Sequence, residues 1–104
     1  MCGEASKYMV ELESYFNVHN IPIFIYRRFV HLVNEASMDN QDHIVYRVAD
    51  VAINNEDQSY FHYVRSEPKK DKEIMEEIVD LLDGYIFYID EVGERMWHFK
   101  RIEE

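Results

Sequence analysis

The side chains with reactive chemistry are one cysteine, Cys2, five histidines and 21 Asp or Glu residues. The histidines, at positions 19, 31, 43, 62 and 98, show neither the His-x-His nor the His-x-x-x-His spacing of a compact metal site, and Cys2 has no companion cysteine. No carboxylate pair lies in an apolar context, and no glycine-rich phosphate loop or serine elbow is present. We therefore expect no catalytic residue, no metal ion and no cofactor.

The opening Met1-Cys2-Gly3 resembles the start of two kinds of enzyme. These are the N-terminal-nucleophile glutamine amidotransferases and the DNA-protein crosslinking domain that shields abasic sites. In both, removal of the first methionine leaves cysteine as the free N-terminal nucleophile. The amidotransferase pattern continues into an apolar strand, whereas residues 4–7 here read Glu-Ala-Ser-Lys, the polar start of a predicted helix. We expect Cys2 to have no catalytic role.

A single cysteine excludes an intrachain disulfide and fits a reducing compartment. The sequence contains no basic segment followed by an apolar stretch, which is the pattern of a signal peptide. The longest apolar-looking run, IPIFIY, is far shorter than the roughly 20 residues that span a bilayer. The sequence thus predicts a cytoplasmic protein.

The charge is strongly negative: 21 acidic and 11 basic residues give a formal net charge of −10. Such a charge opposes direct contact with nucleic-acid phosphates and with anionic membrane surfaces. Two explanations stay open. The charge could serve solubility alone, or it could attract a partner protein with a basic surface.

Helices are predicted at 4–17, 21–37 and 70–83 from apolar residues that recur at helical spacing. We expect Asn17 to end the first helix, Asn20 to cap the second and Gly84 to terminate the third. The rival reading of the second segment is a short strand at IPIFIY, because β-branched and aromatic residues cluster there.

Strands are predicted at 43–54, 58–65, 85–91 and 96–102, where Val, Ile and aromatic residues are frequent. The expected order is ααββαββ, a single α+β domain over residues 1–104 with antiparallel hairpins forming a sheet and helices packed on one face. The final helix and hairpin resemble the end of a winged-helix DNA-binding domain, but acidic residues throughout that helix argue against DNA binding.

The helix predicted at 70–83 has an acidic side and an apolar side. Its acidic side consists of Glu73, Glu76, Glu77, Asp80 and Asp83. These carboxylates recur about one helical turn apart, or roughly 5.4 Å. They form either an ordinary solvated face or a row that can occupy a basic groove built for phosphates.

Aromatic residues are abundant in the predicted strands. Because side chains alternate across a sheet, some of them should lie on the face away from the helices. The candidate partner-binding residues among them are Tyr60, Tyr63, Tyr88 and Trp97. They predict either a partner-binding patch, since Tyr and Trp are enriched at interfaces, or a second packing layer or homodimer seam.

The sequence favours a small, acidic, non-enzymatic binding protein. In character it is similar to immunity proteins that neutralise nuclease toxins and to phage anti-defence proteins, so we expect an inhibitor that occludes a basic, nucleic-acid-handling surface. The alternative is a small regulatory or homo-oligomeric structural domain whose charge confers only solubility.

Overall fold

A computed structural model describes residues 3–54, 59–62, 69–91 and 96–102. Within them the chain is mostly helical, and its elements in order are α1 (Gly3–Val18), α2 (Ile23–Glu35), α3 (Met38–Ala52), β1 (Ser59–His62), α4 (Lys69–Leu82), β2 (Phe87–Glu91) and β3 (Met96–Arg101). The radius of gyration is 12.7 Å, close to the roughly 13 Å of a compact 100-residue domain. Helices and antiparallel strands were thus correctly expected, but the order ααββαββ was wrong: the described part of the chain runs αααβαββ.

The segment predicted as a strand at 43–54 is helical, and it forms most of α3. Its apolar residues are buried at helical spacing: Ile44, Val45, Val48, Ala49, Val51 and Ala52. The local β preference of Val and Ile is weak compared with the free energy gained by burying this face. The predicted hairpin from 43–54 to 58–65 therefore does not form, and its loop at residues 55–58 lies outside the described part of the chain.

The corner between α1 and α2 differs from the prediction at two asparagines. Asn17 is still helical, and Asn20 has the left-handed conformation, with φ 57°. The Ile21 amide donates to the Phe16 carbonyl at 2.9 Å and the Asn20 amide to the Asn17 carbonyl at 3.2 Å. This pair of hydrogen bonds is a Schellman motif, which satisfies carbonyls at the end of α1. Asn20 therefore belongs to the end of α1, and Pro22 is the N-cap of α2.

The corner between α2 and α3 is built by polar side chains. Ser37 is the N-cap of α3 with an extended backbone. The Gln41 side-chain amide donates to the carbonyls of Ala36 at 2.9 Å and Asn34 at 3.3 Å, so it satisfies the exposed end of α2. The segment SMDNQD, which interrupts the apolar pattern in the sequence, is thus the start of a helix.

The three strands form one antiparallel sheet in the order β1-β3-β2. β2 and β3 are consecutive, as predicted, whereas β1 pairs with β3 after α4 intervenes. Phe87 and Phe99 are buried with ring centroids 4.2 Å apart, and Tyr88 and Lys100 are exposed and paired across β2 and β3. The sheet therefore has a covered face and an open face at these positions.

The helices pack against one another in pairs around the core. α1 packs on α3, α2 packs on α4, and α3 contacts both β1 and β3. The IPIFIY segment is helical from Ile23 onward, as favoured over a strand. α2 buries Ile25, Phe29, Leu32 and Val33, but it leaves Ile23 exposed.

Candidate functional site

The acidic face of α4 consists of Glu73, Glu76, Glu77, Asp80 and Asp83, and all five side chains are exposed. The opposite side of the same helix is buried, through Ile74, Met75, Ile78, Val79 and Leu82. This division is the one that the sequence predicts. Because the buried side packs on α2, the carboxylates are presented by a helix that is held in place by the core.

One carboxylate of this face is already paired. The Arg28 guanidinium of α2 lies 3.1 Å from Glu77 Oε2, and both side chains remain about half exposed, at 51% and 55%. The sequence shows no basic residue interleaved in the α4 stripe, so the pairing could be found only from the packing of α2 on α4. Within the described residues, Glu73, Glu76 and Asp80 have no ion-pair partner. Together with Asp83, which is also exposed and has no ion pair among the described residues, they are the carboxylates most available to a partner.

The structure reveals one buried carboxylate, with a structural role, that the sequence analysis did not single out. Asp71, in the first turn of α4, is only 3% exposed. Its carboxylate accepts hydrogen bonds from the Ser37 amide at 3.1 and 3.2 Å and from Asn40 Nδ2 at 2.7 Å. Asp71 therefore fixes the start of α4 to the start of α3, where a negative charge is favourable. Its spacing from Ile74 and Met75, three and four residues later, places it on the apolar side of α4, and this is the sequence signal that separates it from the exposed acids.

The environment of Asp71 keeps it ionised. Burial by itself would raise the pKa of this carboxyl, but the hydrogen bonds from Ser37 and Asn40, with a smaller contribution from the charge of Lys70, outweigh burial and lower the pKa below its ordinary value. Asp71 is thus a structural anion and has none of the raised pKa expected of a general acid.

The predicted aromatic patch is divided by the strand register. Tyr88 is 57% exposed on the open face of the sheet. Tyr60 pairs with His98 in β3, in the set of positions that includes Lys100, whereas Trp97 occupies the alternate set that includes the buried Phe99. Tyr63 lies outside the described residues. The register therefore groups Tyr60 with Tyr88 and separates Trp97 from them.

A groove lies between α1 and α2, and the sequence did not predict it. Its volume is about 730 Å³, and its lining residues are Val10, Glu13, Ser14, Phe16, Asn17, Asn20, Ile21, Ile23 and Tyr26. We call it the α1–α2 groove. Val10 and Ile23 are 69% and 59% exposed, although a strictly amphipathic helix would place such residues in the core.

Cys2 lies outside the described residues, so the expectation that it is not catalytic stays a prediction. In the described ranges, no group of three or more His, Cys, Asp or Glu side chains is arranged to hold a metal ion. None of the helices described is long and apolar enough to cross a membrane.

Comparisons with protein-family models, with curated proteins and with solved structures found no match.

Proposed function

We propose that this protein is a non-enzymatic binding protein whose acidic α4 face occludes a basic surface on a nucleic-acid-handling partner. The observation that supports this function is the set of five exposed carboxylates on one side of a helix whose other side is anchored in the core. Inhibition of the immunity-protein or anti-defence type is the corresponding activity, and it requires neither a cofactor nor contact with nucleic acid.

The spacing of the acidic face suits a groove that binds phosphates. Glu73, Glu76 and Asp80 recur at intervals of three and four residues, so they follow one line along the helix at about 1.5 Å of rise per residue. A partner that binds a phosphate backbone carries clustered Lys and Arg, which such a line of carboxylates complements. Charge complementarity of this kind acts mainly on the association rate, because it steers the two proteins together before contact.

The test is the association rate with the partner, which is first isolated by affinity capture from the source cell. Replacing Glu73 and Asp80 with Lys should slow association at low salt by about tenfold or more and flatten its salt dependence. The matched control carries the same change in net charge at positions outside α4, with Glu11 and Glu35 replaced by Lys. If association slows by the same factor in both variants, the total charge of the protein controls the association rate and the α4 face has no particular role.

The alternative function is a small regulatory or homo-oligomeric domain whose charge only maintains solubility. Ile23 and Phe24, which are adjacent and 59% and 63% exposed, favour it because neighbouring apolar side chains on a surface are typical of a contact with another subunit. Sedimentation equilibrium over a wide range of protein concentration distinguishes the two. A stable oligomer that dissociates on replacing Phe24 with Ser would support the alternative.

A further inference from the structure

In the described part of the chain, the α1–α2 groove combines an apolar surface with one carboxylate. Phe16 and Ile21 are buried beneath it, and Val10 and Ile23 stand exposed along its length. Its volume of about 730 Å³ is within the range of about 300 to 1,000 Å³ that ligand sites occupy. An occupant would therefore cover apolar surface that water now contacts.

The charge in the groove comes from Glu13. It is exposed, and among the described lining residues it is the one with a formal charge at neutral pH. The Tyr26 hydroxyl donates a hydrogen bond to Glu13 Oε2 at 3.4 Å, which orients the carboxylate and leaves its remaining lone pairs available. Burial and the neighbouring Glu13 raise the pKa of Tyr26, so the phenol keeps its proton and its role as donor.

We infer that the α1–α2 groove binds a lysine or arginine side chain of a partner protein, together with the apolar residues that flank it. The aliphatic stem of such a side chain packs against Val10 and Ile23, while its cationic head reaches Glu13. A second copy of this chain is a poor occupant, because it would bring a net charge of −10 toward another −10. This inference concerns a surface other than the α4 face and does not depend on it.

The probe is a capped pentapeptide with arginine between two pairs of leucines, compared with the same peptide carrying citrulline. Citrulline keeps the shape of arginine but has no charge. We expect the arginine peptide to shift the backbone amide signals of Val10, Ser14 and Ile23 in ¹⁵N-resolved NMR spectra. Its affinity should exceed that of the citrulline peptide about tenfold, the usual effect of one charge-assisted hydrogen bond.

Glu13→Gln should abolish the preference for arginine, whereas Glu35→Gln, at an exposed position outside the groove, should retain it. Ile23→Ser should weaken both peptides, while Val18→Ser removes exposed apolar surface outside the groove and should leave both affinities unchanged. Equal binding of the two peptides to the wild type, or no shift at the groove amides, would overturn the inference. So would concentration-dependent shifts of the same amides without peptide, since these would make a second copy the occupant.

Discussion

At the scale of single residues, Asp71 shows how burial changes the role of an amino acid. In the sequence it is one acid among many, and the predicted acidic side of the helix does not include it. The structure removes Asp71 from solvent and surrounds it with donors from Ser37 and Asn40. Sequence reasoning found the exposed carboxylates because helical spacing sorts polar from apolar positions. The same spacing puts Asp71 on the buried side, but its partners could not be found from the sequence because they are more than 30 residues away.

Replacing Asp71 with Ala should lower the free energy of unfolding by about 1–3 kcal/mol, because the Ser37 amide and the Asn40 side chain lose their acceptor. The measurement is urea denaturation monitored by circular dichroism. Asp80→Ala on the exposed side of α4 is the control, and its effect should stay within about 0.5 kcal/mol. Equal effects of the two substitutions would show that the buried network contributes nothing to stability.

Asp71 also predicts a dependence of stability on pH. Its folded-state pKa lies below the ordinary aspartate value of 3.8, so the unfolded chain takes up the proton first as pH falls. The resulting stabilisation is fully present above about pH 5 and is lost as pH falls through the folded-state pKa. The difference in unfolding free energy between wild type and Asp71→Asn should therefore shrink in that range. A difference that grows with acidification would contradict the direction assigned to this pKa.

At the scale of elements, the helices with long apolar stripes were predicted within one or two residues, and α3 was not. The strand prediction at 43–54 rested on residue type, since Val and Ile favour sheets only weakly. The spacing of Ile44, Val48, Val51 and Ala52 at intervals of three and four residues, together with Ser37 as N-cap, was the signal for a helix. Periodicity reports which side is buried, and here it outweighs propensity.

The end of α1 gives a prediction for one corner of the fold. Asn20 has φ 57°, a conformation that glycine adopts freely and alanine does not. Asn20→Ala should therefore destabilise the protein by about 1 kcal/mol, and Asn20→Gly should be neutral or slightly stabilising. Asn17→Ala is the comparison, because Asn17 was predicted to end the helix but is helical and exposed. If thermal unfolding shows a larger loss of stability for Asn17→Ala than for Asn20→Ala, the first helix ends at Asn17, as the sequence predicted.

At the scale of the whole molecule, the sheet order could not be predicted from the sequence. Neighbouring segments usually pair, so β1 was assigned to a hairpin with the segment before it. That segment is α3, and β1 instead pairs with β3. Contacts between elements far apart in the chain depend on which surfaces remain unburied after the helices pack. The α1–α2 groove could not be predicted for the same reason, because its shape depends on how the two helices are positioned relative to each other.

The net charge of −10 leads to a prediction for the stability of the entire chain. The molecule measures 36 × 30 × 22 Å, and at about 0.01 M ionic strength charges interact over about 30 Å, so every carboxylate is repelled by the others. At about 0.15 M this distance falls to about 8 Å, and only neighbouring charges still interact. The urea midpoint of unfolding should therefore rise as NaCl is added.

The control is a variant in which Glu73, Glu76 and Asp80 are replaced by Gln, Gln and Asn. Its midpoint should be higher at low salt and should increase less as NaCl is added, because fewer repulsive charges remain to be screened. This comparison separates charge screening from other effects of salt. A midpoint that falls with salt would mean that attractive pairs such as Arg28–Glu77 outweigh the repulsion across the whole surface.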